Sequence, residues 1–368
     1  LASGAGEGVV KMTAQNQENP SKIDLIKSSS VMLVILSSFV LILISSMFWA
    51  FFIDWASLGK LTWLQIIIYI FGGLLASIGT LLISLANGFQ LLGDVVKINI
   101  VSIFSSLIIS GIIFYLNGDS VILIIPAIYF GLVGVFQAGI LLKKIRFPTN
   151  TFGLIDFTTI KNLGGFMFMA LGSFFMTPFA LITIRGWLIQ DFGADSAGDW
   201  ESSRKLLELV TALFTAYFAM VLLPKLAKIS DTKLLRLEIL NNAVVLMALS
   251  FLALLILFIL RDQAYYVVFS SDFSFSSDLM GSRAIGEFLR SLIWIFGFIL
   301  VVKAKVKLYL LTGFVYMLAL LFTSWFMIGA YGVIGANYAY ILSNSLMLVV
   351  SILIFYYITS NSYNKPKL

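Results

Sequence analysis

Three charged residues stand at spacings i, i+4 and i+7 inside an apolar stretch: Arg283, Glu287 and Arg290 in GSRAIGEFLRSLIWIFGFIL. Helical spacing puts all three on one face. One carboxylate cannot neutralise two guanidinium groups, so that face stays net positive. A guanidinium fork grips two oxygens of one anion at once, which matches phosphate or diphosphate. Arg185, within LITIRGWLIQ, and Arg204, at the head of the next apolar run, extend the set of cations. Plainer roles exist for each. Arg283 fits a snorkelling cation paired with Glu287, and Arg185 an interfacial anchor beside Trp187. Arg204 fits an i, i+4 pair with Glu208, next to a second pair of Glu201 with Lys205. Glu7, between Gly6 and Gly8, fits a proton or cation site or a simple helix contact. We expect Arg185, Arg204, Arg283, Glu287 and Arg290 to bind substrate, with Glu7 as the ion-coupling candidate. Basic residues outnumber acids within the apolar runs, the reverse of what a carrier of organic cations would show.

The chain has no His and no Cys. That removes His/Cys metal centres, Cys or Ser–His nucleophiles, haem ligation through His, and disulfides. No GxxxxGK[ST] stretch is present, so ATP is not bound through a P-loop. We expect no enzyme, and neither a catalytic residue, a metal nor a cofactor.

Helices in a bilayer must position the charged residues. Of 368 residues, 60% are apolar, 15% aromatic and 11% charged, against roughly 25% charged in a soluble domain. With a mean hydropathy of +1.02, such a chain cannot coat itself for water, and we expect an all-α polytopic membrane protein. A span takes about 20 apolar residues. Runs of that length lie near 31–53, 64–86, 97–116, 121–142, 163–190, 206–223, 239–260, 284–302, 308–328 and 333–357, and LASGAGEGVV reads as the tail of one more. A charge inside such a run costs about 2.5–3.5 kcal/mol on insertion scales, so Arg185 and Arg290 need a cavity or a partner. Pro178 is expected to kink the 163–190 span, with the Gly164-Gly165 pair as a second flex point.

Lys and Arg number 24 against 18 Asp and Glu, a net charge of +6. Seventeen of the 24 basic residues fall in alternate loops, around Lys11–Lys27, Lys97, Lys143–Lys161, Lys225–Arg236, Lys303–Lys307 and Lys365–Lys367. The intervening loops carry Lys60, Arg261 and an acidic segment with Asp191, Asp195, Asp199 and Glu201. The positive-inside rule makes the first set, and with it the C-terminus, cytoplasmic. The basic excess is thus topological, and no nucleic-acid partner is expected. Trp55, Trp63, Trp187, Trp200 and Trp325 fit aromatic belts. Gly72/Ala76 and Gly131/Val135 fit ordinary helix packing.

A repeat runs through these segments. Val9-Val10-Lys11 and Leu223-Pro224-Lys225 each close a span at a basic loop, 214 residues apart. Ala86-Asn87-Gly88 and Lys303-Ala304-Lys305 end counterpart spans 217 apart, and Gly118 and Gly332 mark short outer turns 214 apart. The offset indicates two copies of six spans, parallel because the number per copy is even. Counting back from 163–190 puts its partner before Leu1, so about fifty residues, one span and a half, are expected to precede this chain.

The stretches SGAGEGVVKMTAQ, ANGFQ, AGDWESSRKLLELVTALFTAYFAMVLLPKLAKISD and LRDQAYYVVFSSDFSFSSDLMGSRAIGEFLRSLIWIFGFILVVKAKVKLYLL resemble the Wzx-type flippases. These are the O-antigen and enterobacterial-common-antigen translocases of the multidrug/oligosaccharidyl-lipid/polysaccharide exporter (MOP) superfamily. The likeness runs along the whole chain in order, is most specific at 198–231 and 261–311, and leans to the enterobacterial-common-antigen branch. It implies a twelve-span fold in two six-helix lobes, here 1–150 and 151–368, with the first span and part of the second missing. It also implies a cavity lined with basic residues; by motif match Arg185, Arg204, Glu287 and Arg290 fall on polar positions of these stretches. The implied activity is flipping an undecaprenyl-diphosphate-linked oligosaccharide by alternating access, from the inner to the outer leaflet of the bacterial inner membrane. Membrane lipid, a polysaccharide polymerase and a chain-length regulator are the implied partners. A cation-driven multidrug exporter of the same superfamily is the alternative, disfavoured by the excess of Arg. A membrane glycosyltransferase or polymerase is disfavoured because the outer loops at 191–203 and 261–282 are short and hold no paired acids.

Overall fold

The computed structural model describes residues 2–47, 63–122, 124–148, 154–268 and 276–361. Trp55, Lys60, Lys365, Lys367 and the end of the 31–53 span lie outside the described residues. Among those described, all regular structure is helical. In chain order it comprises α1 (Ala2–Gln15), α2 (Pro20–Met47), α3 (Trp63–Gly88), α4 (Leu92–Asn117), α5 (Ile125–Lys144) and the long α6 (Phe157–Tyr217). A π-helical turn (Phe218–Leu222) leads into α7 (Leu223–Ala227), followed by α8 (Thr232–Ile259), α9 (Arg261–Val268), α10 (Ser276–Gly297), α11 (Ile299–Val302), α12 (Val306–Tyr331) and α13 (Val333–Asn361). Side-chain oxygens cap the first turns that carry few apolar residues. Asp231 accepts from the backbone N–H groups of Lys233 and Leu234, and Asn19 from that of Lys22. Asp156, ahead of α6, accepts from Thr158 and Thr159, whose hydroxyls and N–H groups hold its carboxyl down at about 2.

Nine helical stretches among the described residues are long and apolar enough to cross a membrane. One of them, Phe157–Ala227, is 71 residues long and contains both spans expected at 163–190 and 206–223. The acidic segment at 191–203, expected to be an outer loop, is helical apart from Gly193 at φ 86° and ψ 167°. Asp195 and Ser196 favour a restarting helix, and Arg204 ties it by pairing with both Glu201 and Glu208. The departure from helical dihedrals thus comes at Gly193, not at Pro178. Glycine adopts positive φ freely, whereas proline holds φ at a helical value while withholding one backbone donor.

Burial runs opposite to that of a soluble protein. On α4, Ser102, Ser106 and Ser110 are buried at 0%, 0% and 4% exposure, while Phe104, Leu107 and Ile108 are about 60% exposed (60%, 58% and 61%). A helix that turns serines inward and Phe, Leu and Ile outward belongs in lipid, where apolar side chains need no burial. The protein is a multi-pass membrane protein.

The residues form two compact units: 1–171 with 219–228, and 172–218 with 229–368. Two of the three dividing points fall within the helical stretch 157–227, so this stretch contributes to both units. In the first unit α3 and α5 meet backbone to backbone. A Cβ at Gly72 would come 2.4 Å from the Ala127 carbonyl oxygen, and one at Gly134 would come 2.2 Å from that of Leu75. In the second unit α10 packs on α13 and α8, and α13 also packs on α12.

The repeat is visible in the backbone of each unit. Helix α4 begins and ends 214 residues before α12, and the glycines that follow them match in conformation: Gly118 at φ 59°, ψ −148° and Gly332 at φ 68°, ψ −148°. Gln90 and Ala304, also 214 apart, are the two non-glycine residues with positive φ among those described (61° and 51°). The same turn closes over each, with Leu91 N–H donating to Ala86 O at 3.0 Å and Lys305 N–H to Leu300 O at 2.8 Å. This corrects the offset of 217 read for that junction. Phe89-Gln90-Leu91, not Ala86-Asn87-Gly88, corresponds to Lys303-Ala304-Lys305.

Candidate functional site

In this register α3 corresponds to α10 with α11, and Gly72 to Gly286. Tyr69, Gly73 and Ala76 stand where the second unit has Arg283, Glu287 and Arg290. The charged face is therefore a property of one copy.

That face turns toward α13. Arg283 and Glu287 are each 1% exposed. Arg283 donates to Glu287 Oε1 from Nη2 at 2.9 Å and from Nε at 3.2 Å. Tyr340, from α13, donates its hydroxyl to the same oxygen at 2.9 Å, and Thr211, from α6, donates to Oε2 at 3.0 Å. The Tyr340 ring also lies under the Arg283 guanidinium, 3.6 Å from its centroid, a favourable cation–π placement. Arg290 donates from Nη1 to the Tyr340 oxygen at 3.3 Å. Three of the expected substrate-binding residues thus meet in one network, as the i, i+4, i+7 spacing required. Breaking a buried pair such as Arg283–Glu287 by removing one partner costs about 3–5 kcal/mol.

Two guanidinium groups and one carboxylate leave the cluster net positive. Arg283 Nη1 is buried without a hydrogen-bond partner among the described residues, and the hydroxyl of Tyr316, on α12, lies beside Arg290. A buried guanidinium with an unmet donor beside a second arginine has the chemistry to take an anion. The register of the helices that build it is set by amides. Asn337 donates to Leu279 O at 3.0 Å and Asn344 to Gly286 O at 3.1 Å, from α13 onto α10.

The other expected residues lie elsewhere. Arg204 is buried between Glu201 and Glu208, donating to Glu201 Oε2 from Nε at 3.0 Å. Among the described residues no bond joins it to the Arg283 cluster, and the Glu201–Lys205 pair is not formed; Glu201 turns to Arg204 instead. Arg185 is exposed on α6. Glu7 is half-buried on α1 in the first unit, and its glycine neighbours serve packing: a Cβ at Gly8 would come 2.7 Å from the Phe166 ring.

Tyr340, Thr211, Tyr316, Asn337 and Asn344 were not singled out from the sequence. For three of them a signal existed. Asn337, Tyr340 and Asn344 recur at helical spacing in an apolar span, a buried polar stripe.

Among solved structures, an outward-facing multidrug-resistance MATE family transporter of the MOP superfamily superposes with a TM-score of 0.83 at 13% identity, covering 99% of this chain and 85% of that one. The chain has the fold of the MOP superfamily. A second member, a MOP superfamily transporter from Pyrococcus furiosus, superposes at 0.82 and 13% identity over 99% of this chain and 85% of that one. By sequence, the chain is 27% identical to the lipid III flippase of Escherichia coli (strain K12) over 180 residues, 49% of this chain and 43% of the relative. The match thus spans less than half the length of that curated relative. No protein-family model matches the sequence. Sequence match and MOP fold agree with the resemblance to the Wzx-type flippases.

Proposed function

We propose that this chain flips an undecaprenyl-diphosphate-linked oligosaccharide from the inner to the outer leaflet of the bacterial inner membrane, by alternating access, for O-antigen or enterobacterial-common-antigen synthesis. In this reading 1–150 and 151–368 are its two lobes and the C-terminus is cytoplasmic. The observation that carries it is the net-positive Arg283–Glu287–Arg290 cluster with an unmet donor on Arg283. Arg290 grips the diphosphate, Arg283 and Glu287 hold each other as a fixed pair, and Arg185 and Arg204 serve the substrate outside the cluster. Glu7 is the ion-coupling residue, and the polymerase and chain-length regulator act on the flipped product. The sequence match to a lipid III flippase supports the substrate class.

Arg290→Ala should abolish the appearance of glycan at the outer leaflet in cells lacking their own flippase, normalised to protein in the membrane. Arg290→Lys should retain part of it, because Lys keeps the charge and loses the fork. Full rescue of Arg290→Ala by adding Glu287→Gln would assign Arg290 to a charge-balancing role and reject this reading. The fold shared with a multidrug transporter favours a second reading, export of organic cations. Cation-driven efflux in the same cells, insensitive to Arg290→Ala, is its signature.

A further inference from the structure

Glu287 lies between two arginines but is bonded to only one of them. Its Oε1 receives three donors, two from Arg283 and one from Tyr340, and its Oε2 receives Thr211. A carboxylate oxygen offers about two lone-pair sites, so the three donors on Oε1 fill the oxygen that Tyr340 reaches. Arg290 is held one atom further out, on the oxygen of Tyr340. A phenol hydroxyl has a single hydrogen, and here it points to Glu287, leaving the oxygen's lone pairs for Arg290. Tyr340 is 1% exposed and its ring is fixed under Arg283, so the hydroxyl cannot swing away.

We infer that Tyr340 is a positioning residue that keeps Arg290 off Glu287, so that one arginine of the pair remains open to an anion. The inference rests on the proposed reading of Arg290 as the diphosphate-binding group. Without the hydroxyl, Glu287 Oε1 loses a donor while Arg290 loses the acceptor that Tyr340 gives it. The two then lie within about two hydrogen-bond lengths, and a flexible arginine closes that gap to form a second ion pair. The fork that should meet the diphosphate is then occupied internally.

The test uses the full chain purified in detergent and farnesyl diphosphate as the probe, with binding followed by titration calorimetry and folding by thermal midpoint. Tyr340→Phe keeps the ring under Arg283 and removes only the hydroxyl. Its affinity should fall about tenfold, the equivalent of one charge-assisted hydrogen bond. Adding Glu287→Gln should restore most of that loss, because a neutral amide does not trap Arg290. A residue that served the fold alone would show no such rescue. Unchanged affinity in Tyr340→Phe, alongside a clear loss in Arg290→Ala, overturns the inference and leaves the site standing. A loss in Tyr340→Phe that Glu287→Gln does not relieve also overturns it. Unchanged binding in Arg290→Ala removes the site itself, and the inference with it.

Discussion

Tyr340 reaches its place under Arg283 because residue 286 has no side chain. A Cβ on Gly286 would come 2.3 Å from the Tyr340 ring, a distance at which the ring must move. Gly286→Ala should therefore weaken farnesyl diphosphate binding about tenfold or more. Gly297→Ala on the same helix should bind as the parent does, since its nearest neighbour would be Ser351 Oγ at 3.9 Å. Equal titrations for the two variants would show that the ring position is irrelevant to the anion. At this scale the sequence disclosed the three charges of α10, because their partners lie within two turns of one helix. It did not disclose Tyr340 or Thr211, which are 53 and 76 residues away from Glu287. It also misjudged Glu201, which stands three residues before Arg204 and four before Lys205. Spacing rules weigh those two partners alike, and the burial of Arg204 decides between them.

Between helices, contact distance governs stability more than hydrophobicity does, because lipid is as apolar as the side chains it replaces. The α3–α5 pair shows this. Gly72 and Gly134 let the two backbones touch, and no rotamer of a larger residue relieves contacts to a carbonyl oxygen. Gly134→Val should destabilise the protein by about 1–3 kcal/mol, the range for overpacked interiors, measured by unfolding in mixed micelles. Gly139→Val, on the exposed side of α5 with nothing within 4 Å, should be neutral within error. Spans were legible as apolar runs, since a bilayer demands about 20 residues of them. What hid was the helical state of 191–203. Its charges read as a loop, yet Glu201, Arg204 and Glu208 satisfy one another along a helix axis. Pro178 was expected to kink the span before it, because proline lacks a donor. The dihedrals depart from helical at Gly193, inside the stretch read as a loop, where no Cβ opposes a positive φ.

Across the whole molecule, the distribution of Lys and Arg predicts an orientation that labelling can test. The natural absence of cysteine makes the chain its own blank for site-directed labelling. With a membrane-impermeant maleimide, Asp195→Cys should react in intact cells, and Lys307→Cys only after the inner membrane is opened. Both positions are exposed. The opposite pattern would turn the protein over and reverse the direction of transport proposed for it. The repeat was legible as an offset of matching residues, but its register was off by three at one junction. There the correspondence lies in a backbone turn shared by Gln90 and Ala304, two residues with no chemical likeness.

Two copies of one backbone path, of which a single copy carries the i, i+4, i+7 charges, bear on ancestry. A gene that doubled could place buried charges on the α10–α13 pair and keep the close glycine contacts on α3–α5. Drift in the α3–α5 copy then answers to bulk alone: Gly72 may never grow, but its apolar neighbours are free to exchange. Drift in the charged copy answers to bulk and bonding together, so Gly286 and Tyr340 are bound to change as a couple or not at all.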